Sequence, residues 1–124
     1  MSSKRRWTNP YRTIPQKIKE ISVHELKTLF DGDTTLSLID VRTPEEFYLV
    51  HVPGVKALIQ HQEIVSKINE SKFPKGNPVY LICRSGRRSL IAARELAQCG
   101  YESPINIKGG TLAWIDAGYP VIKQ

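Results

Sequence analysis

The chain of 124 residues carries 18 Lys and Arg against 12 Asp and Glu, a net charge of +6, with 40% hydrophobic and 24% charged positions. That length suits one domain built around one core, and that composition suits a globular protein. Its apolar runs of a few residues are too short to span a bilayer, and two cysteines are too few for a disulfide framework.

No Cys-x-x-Cys pair or Cys/His cluster offers a metal site, so none is expected. Met1 to Arg6 is polar and basic with no apolar stretch after it, unlike a secretory signal, and the expected location is cytoplasmic. The positive charge is concentrated in two places. Residues 1–20 hold Lys4, Arg5, Arg6, Arg12, Lys17 and Lys19 against Glu20 alone, whereas the remainder is nearly balanced. Within the remainder, Arg84, Arg87 and Arg88 fall in one short stretch. Residues 1–16, with Pro10 and Pro15 and no periodicity, read as a basic arm; residues 17–124 read as the domain. With no aromatic-rich basic surface, neither nucleic acid nor membrane is an expected partner.

In chain order, Ser22 and Glu25 form a capping-box pattern, and Val23, Leu26, Leu29 and Phe30 have helical spacing, which predicts a helix to about Phe30, after which Asp31-Gly32-Asp33 ends it. Leu36 to Ile39 reads as a strand. Thr43-Pro44-Glu45-Glu46 opens a second helix, with Thr as cap, Pro at the first position and acids where the helix dipole favours them. Pro53-Gly54 marks a turn, Val55 to Ile59 a short strand, Glu63 to Asn69 a helix, and Val79 to Ile82 a strand. Leu90, Ile91, Ala93, Leu96 and Ala97 place an apolar stripe on a helix closed by Gly100. Pro104 to Ile107 is a last strand, Gly109-Gly110 a tight turn, and Thr111 to Ala117 a final helix. Strands alternating with helices predict an α/β fold with a mainly parallel central sheet and helices on both faces.

Cys83 sits at the end of the best-defined strand, where ligands bind in open α/β sheets. After it, Arg84-Ser85-Gly86-Arg87-Arg88-Ser89 supplies a permissive glycine, three arginines and the start of a helix whose first N–H groups are unpaired. This predicts an anion cradle, a depressed thiol pKa and a reactive nucleophile. Cys99 lies at the far end of the same helix, about 20 Å away at 1.5 Å per residue, beyond disulfide reach, and reads as a packing residue.

Four motifs in order resemble a single-domain rhodanese over about Ile18 to Ile122: Asp40-Val41-Arg42-Thr43-Pro44-Glu45-Glu46-Phe47, His51-Val52-Pro53-Gly54, the Cys83 to Ser89 loop, and Gly109-Gly110-Thr111-Leu112-Ala113-Trp114 followed by Ala117-Gly118-Tyr119-Pro120. The resemblance implies a rhodanese-like sulfurtransferase fold. In that family the cysteine matching Cys83 takes a sulfane sulfur as a persulfide and passes it to a thiophilic acceptor, with no cofactor. Carried over by position, Cys83 is the nucleophile, Arg84, Ser85, Gly86, Arg87, Arg88 and Ser89 are the sulfur-binding loop, and Asp40 and Arg42 brace the site. His51 reads as a hydrogen-bonded structural histidine rather than a base, and Trp114 and Tyr119 as packing residues. The implied partners are a small sulfane-sulfur donor such as thiosulfate or a persulfide and a thiol or cyanide acceptor. A protein sulfur acceptor also fits, and a monomer or weak dimer is expected. Two positions depart from the family pattern: Val50 stands where Gly usually precedes the histidine, and Lys56 replaces a smaller or amide residue.

Two other classes compete. A Cys-dependent phosphatase or arsenate reductase would use the same cradle for a tetrahedral oxyanion, but the position of the phosphate-clamping arginine, separated from the cysteine by five intervening residues, is occupied by Ser89. Related cell-cycle phosphatases resemble this fold but carry a loop one residue longer. A non-catalytic regulatory rhodanese-like binding module is the other class, and its members often lack the cysteine that this chain keeps.

Overall fold

The computed structural model describes residues 17–124, so the expected basic arm, residues 1–16, lies outside the described residues. The elements are β1 (Lys19–Ile21), α1 (Val23–Gly32), β2 (Leu38–Asp40), α2 (Pro44–Leu49), β3 (Val50–His51), β4 (Ala57–Leu58), a 3-10 turn (His61–Glu63), α3 (Ile64–Lys67), β5 (Val79–Ile82), α4 (Arg87–Gln98), β6 (Pro104–Ile107), α5 (Gly110–Asp116) and β7 (Ile122–Lys123). Five strands form a sheet in the order β1-β6-β5-β2-β4, and every pairing in it is parallel. β3 and β7 form a separate antiparallel pair.

Alternation along the strands sorts the core into two layers. Ile39, Val79 and Leu81 point to the face covered by Ala92, Ala93 and Leu96 of α4 and Ile64 of α3. Leu38, Tyr80, Ile82, Ile105 and Ile107 point to the other face, against Val23 and Leu26 of α1 and Trp114 of α5. Helices therefore cover both faces, as the β-α alternation requires. Leu26, Leu38, Ile39, Leu81, Ile82 and Leu96 are fully buried, each contributing roughly 1.5–3 kcal/mol of apolar transfer.

The local signals that predicted the helices are present as hydrogen bonds. Ser22 and Glu25 cap α1 reciprocally at 3.1 Å. Thr43 and Glu46 do the same for α2, with Pro44 at its first position. Other boundaries move. α1 extends to Gly32, and the first predicted strand shifts to Leu38–Asp40 because Asp40 stays in the ladder opposite Ile82 and Leu58. The predicted Val55–Ile59 strand contracts to Ala57–Leu58, and the Glu63–Asn69 helix divides into the 3-10 turn and α3. β1 and β7 carry little apolar periodicity of their own and exist through pairing with β6 and β3.

The departure at Val50 has a plain backbone explanation. Its φ of −163° and ψ of 135° are extended, it caps α2, and it pairs with Lys123, so a β-branched residue suits the position. Lys56 donates from Nζ to the carbonyls of Thr34 (2.8 Å) and Gly54 (3.1 Å), tying two turns together. Among the described residues, no helix is long and apolar enough to cross a membrane.

The chain moves from β2 outward to β4, and from β5 in the opposite direction to β6. Strand order thus reverses between β2 and β5, the place where open α/β sheets bind ligands, and Asp40 ends β2 there while Cys83 follows β5.

Candidate active site

Cys83 follows β5 on the face that carries Leu81, under the start of α4, and is 1% exposed. Gly86 then takes φ 101°, a left-handed conformation that lets the chain turn back over the sulfur. A Cβ there would lie 3.2 Å from the Gly109 nitrogen. The Gly86 N–H donates to Cys83 Sγ at 3.0 Å, and the Ser89 hydroxyl lies 3.2 Å from the same sulfur.

The far side of the loop is held by α5. Thr111 N–H and Oγ1–H donate to the Cys83 carbonyl at 2.9 and 3.2 Å, and Leu112 N–H donates to the Arg84 carbonyl at 3.0 Å. In a planar trans peptide the C=O and N–H point in opposite directions. Turning the Arg84 carbonyl toward α5 therefore turns the Ser85 N–H away from α5, and that N–H is among the groups that bond the sulfur. Gly110, at φ 59°, makes the approach feasible, since a Cβ there would come within 2.6 Å of the Arg84 carbonyl oxygen. The Gly109-Gly110 pair, expected only as a tight turn, is thus the seat of the loop.

Burial is the largest single influence on the Cys83 thiol and pushes its pKa up. The Ser89 hydroxyl and the N–H groups of Ser89, Gly86 and Ser85 together overcome it, leaving the pKa below the ordinary thiol value. The direction is that expected from sequence, and of the two causes expected, N–H groups at the helix start contribute, joined by the Ser89 hydroxyl, whereas the arginines do not. Arg84 and Arg87 are exposed. Arg88 makes a bidentate pair with Glu46, both bonds 2.8 Å, and the charge of Cys83 is only a lesser influence on it. That hydrogen-bonded Arg88 holds Glu46 down to about 2. Glu46 also completes the α2 capping box, so one carboxylate joins α2 to α4 beside the loop. Its role was invisible in sequence, where it read only as an acid favoured by the helix dipole.

Asp40 and Arg42 are 0% and 3% exposed and occupy each other: Arg42 Nε and Nη2 donate to the carboxylate at 2.8 to 3.1 Å. Arg42 Nη2 also donates to the Val50 carbonyl at 2.8 Å, linking the end of β2 to β3. His51 Nδ1–H donates to the Phe47 carbonyl (2.8 Å), and its ring stacks on Phe47 at 3.7 Å. Trp114 is buried with Nε1–H donating to the Pro120 carbonyl (2.7 Å), and it packs on Tyr119. Cys99 is exposed at the opposite end of α4, not the packing residue expected. No cluster of His, Cys, Asp or Glu among the described residues could hold a metal ion.

One buried polar group at the site was missed. Asn106, in the apolar strand β6, is 0% exposed and reaches Ser89, Gly86 and Glu20. A lone amide within Pro104-Ile105-Asn106-Ile107 was its only sequence signal.

Comparison with known proteins agrees with this architecture. The Rhodanese-like domain family model matches residues 22–117. A sulfurtransferase of Allochromatium vinosum is 33% identical over 105 residues, covering 85% of this chain and 95% of that protein. YrkF of Bacillus subtilis, whose name describes it as a candidate sulfur carrier protein, is 38% identical over 97 residues, or 78% of this chain. The match spans about half (51%) of that relative's length. The crystal structure of a rhodanese-like domain protein from Staphylococcus aureus superposes with a TM-score of 0.68 at 31% identity, over 78% of this chain and 91% of that one. With the fold, the ordered motifs and the matched span in agreement, the chain belongs to the rhodanese-like domain family.

Proposed function

We propose that the protein is a sulfurtransferase that moves a sulfane sulfur through a persulfide on Cys83. The observation that carries this reading is the Cys83 sulfur, facing the Gly86 N–H at 3.0 Å and the Ser89 hydroxyl at 3.2 Å, with its pKa below the usual thiol value. A thiolate so formed attacks the outer sulfur of thiosulfate; the new S–S bond uses the thiolate's electron pair, and sulfite leaves with the pair of the broken bond. Charge then rests on the outer sulfur, where the loop N–H groups stabilise it. Attack by cyanide or a thiolate on that sulfur returns Cys83 as thiolate, so the cycle needs no external oxidant and no cofactor. Asp40 and Arg42 brace the site rather than react, because each already satisfies the other.

The phosphatase reading is disfavoured by the same residues. A phosphoryl transition state needs a bidentate cationic clamp on its equatorial oxygens. Ser89 fills the position of that clamp, and Arg88 is already committed to Glu46. The relative named as a sulfur carrier protein favours a sulfur acceptor that is itself a protein. The test is an assay of sulfite release and thiocyanate formation from thiosulfate and cyanide, run beside hydrolysis of an aryl phosphate. Cys83-dependent thiocyanate with negligible phosphate release is expected. Cys83-dependent phosphatase turnover without sulfur transfer would reverse the assignment, and inactivity in both would favour a binding module.

A further inference from the structure

Ser89 has one hydroxyl hydrogen and two acceptors within reach. Cys83 Sγ lies 3.2 Å from its oxygen and Asn106 Oδ1 lies 2.5 Å away, and all three groups are buried. The orientation of the amide is fixed by its other end. Asn106 Nδ2 donates to Glu20 Oε2 (2.7 Å) and to the Gly86 carbonyl (3.1 Å), two groups that can only accept. Both amide hydrogens are therefore spent, and Oδ1 must face Ser89. The sheet supports this arrangement: Glu20 pairs with Asn106 in the β1–β6 ladder and Asn106 with Leu81 in the β5–β6 ladder, so a row of neighbours leads toward the face of Cys83.

We propose that Asn106, locked by Glu20 and the Gly86 carbonyl, is a positioning residue that competes with Cys83 for the single hydroxyl hydrogen of Ser89.

In the thiol state the chain is complete, with S–H donating to Ser89 Oγ and Ser89 O–H donating to Asn106 Oδ1. When the thiol loses its proton to solvent, the Ser89 hydrogen turns to the thiolate, and the buried Oδ1 is left without that donor. An orphaned buried acceptor is costly, so Asn106 opposes ionisation of Cys83. The idea deepens, and in this step rests on, the sulfur-transfer reading: once a persulfide forms, charge moves to the outer sulfur, Sγ becomes a weak acceptor, and the Ser89 hydrogen returns to Asn106. Asn106 thereby favours the loaded enzyme over the empty thiolate.

The other charged groups around Cys83 do not replace this contact. From α4 and α2 come Arg88 and Glu46, paired with each other; from β2, Asp40 paired with Arg42. Arg84 and Arg87 of the loop are exposed, and α5 contributes the hydroxyl of Thr111, spent on the Cys83 carbonyl. Glu20 stands behind Asn106 on β1.

The test is ultraviolet titration of the Cys83 thiolate without any donor, in a Cys99→Ser background. Asn106→Leu is expected to lower the titration midpoint by on the order of one pH unit. In a Ser89→Ala background the same substitution is expected to leave the midpoint where Ser89→Ala alone puts it, since no hydrogen remains to contest. Should Asn106→Leu fail to fold, Glu20→Asp carries the test: it keeps the charge, shortens the reach to Asn106 Nδ2, and is expected to shift the midpoint downward by less. An unchanged or raised midpoint in the folded variant, or a shift that persists without the Ser89 hydroxyl, would overturn the proposal. Failure of the sulfur-transfer reading is seen separately, as a Cys83 that gains no sulfur from thiosulfate whatever its titration midpoint.

Discussion

At the scale of single residues, the site depends on what reaches one buried sulfur atom. Cys83→Ser is expected to abolish sulfur transfer while leaving the unfolding transition within about 1 kcal/mol, because the smaller hydroxyl still accepts from Gly86 N–H. Cys99→Ser, at the exposed end of α4, is expected to leave turnover unchanged. A Cys99→Ser protein that melts normally but has lost transfer would contradict a single-cysteine cycle. Ser89→Ala removes the side-chain bond that most strongly opposes the burial effect on Cys83, so its thiolate midpoint is expected to rise by about one pH unit. Ultraviolet titration checks this; an unmoved midpoint would assign the depressed pKa wholly to backbone N–H groups. The loop around Cys83 was legible in sequence because seven consecutive residues form it. Asn106 and Glu20 were not, because their contact joins positions 86 residues apart, and only strand register brings them together.

At the scale of elements, the loop is shaped by its two neighbours. Gly110→Ala places a side chain at φ 59° and against the Arg84 carbonyl. It is expected to cost about 1–3 kcal/mol of backbone strain and to push the loop off α5. Urea unfolding measures the first effect and the Cys83 titration the second, with a raised thiolate midpoint expected; a variant unchanged in both would show that α5 does not set the loop. The Glu46–Arg88 pair joins α2 to α4. Glu46 is held at about 2 in the folded chain against an ordinary 4.5, so its stabilisation is fully present above pH 4.5 and is lost as pH falls toward 2. Glu46→Gln keeps a cap acceptor for Thr43 but loses the charge. The stability gap between wild type and Glu46→Gln is therefore expected to be constant above pH 4.5 and to narrow below it, as chemical denaturation across that range will read. A gap that does not change with pH would remove the ion pair from the account. The caps of α1 and α2 were legible because a capping box is local; β7 was not, because Val50 and His51 select it from across the molecule.

At the scale of the whole molecule, charge is divided between a basic leading segment and a nearly neutral remainder. Deleting residues 2–12 is expected to leave thiosulfate turnover almost unchanged, since the loop, β2 and α5 all lie later in the chain. Transfer to an acidic protein acceptor is expected to slow, and to lose part of its salt dependence, because long-range attraction raises association rates and is screened by salt. Equal salt sensitivity in the two forms would dismiss steering. The reversal of strand order between β2 and β5 was legible in outline from the β-α alternation, whereas the edge position of β1 came only with the pairing to β6. Whether Cys83 carries the sulfur is decided by intact-mass measurement with peptide mapping after exposure to thiosulfate. A gain of one sulfur atom on the Cys83 peptide is expected, removed by cyanide or a thiol and absent in Cys83→Ser. No gain on Cys83 under thiosulfate or any persulfide donor, or a gain confined to Cys99, would contradict it.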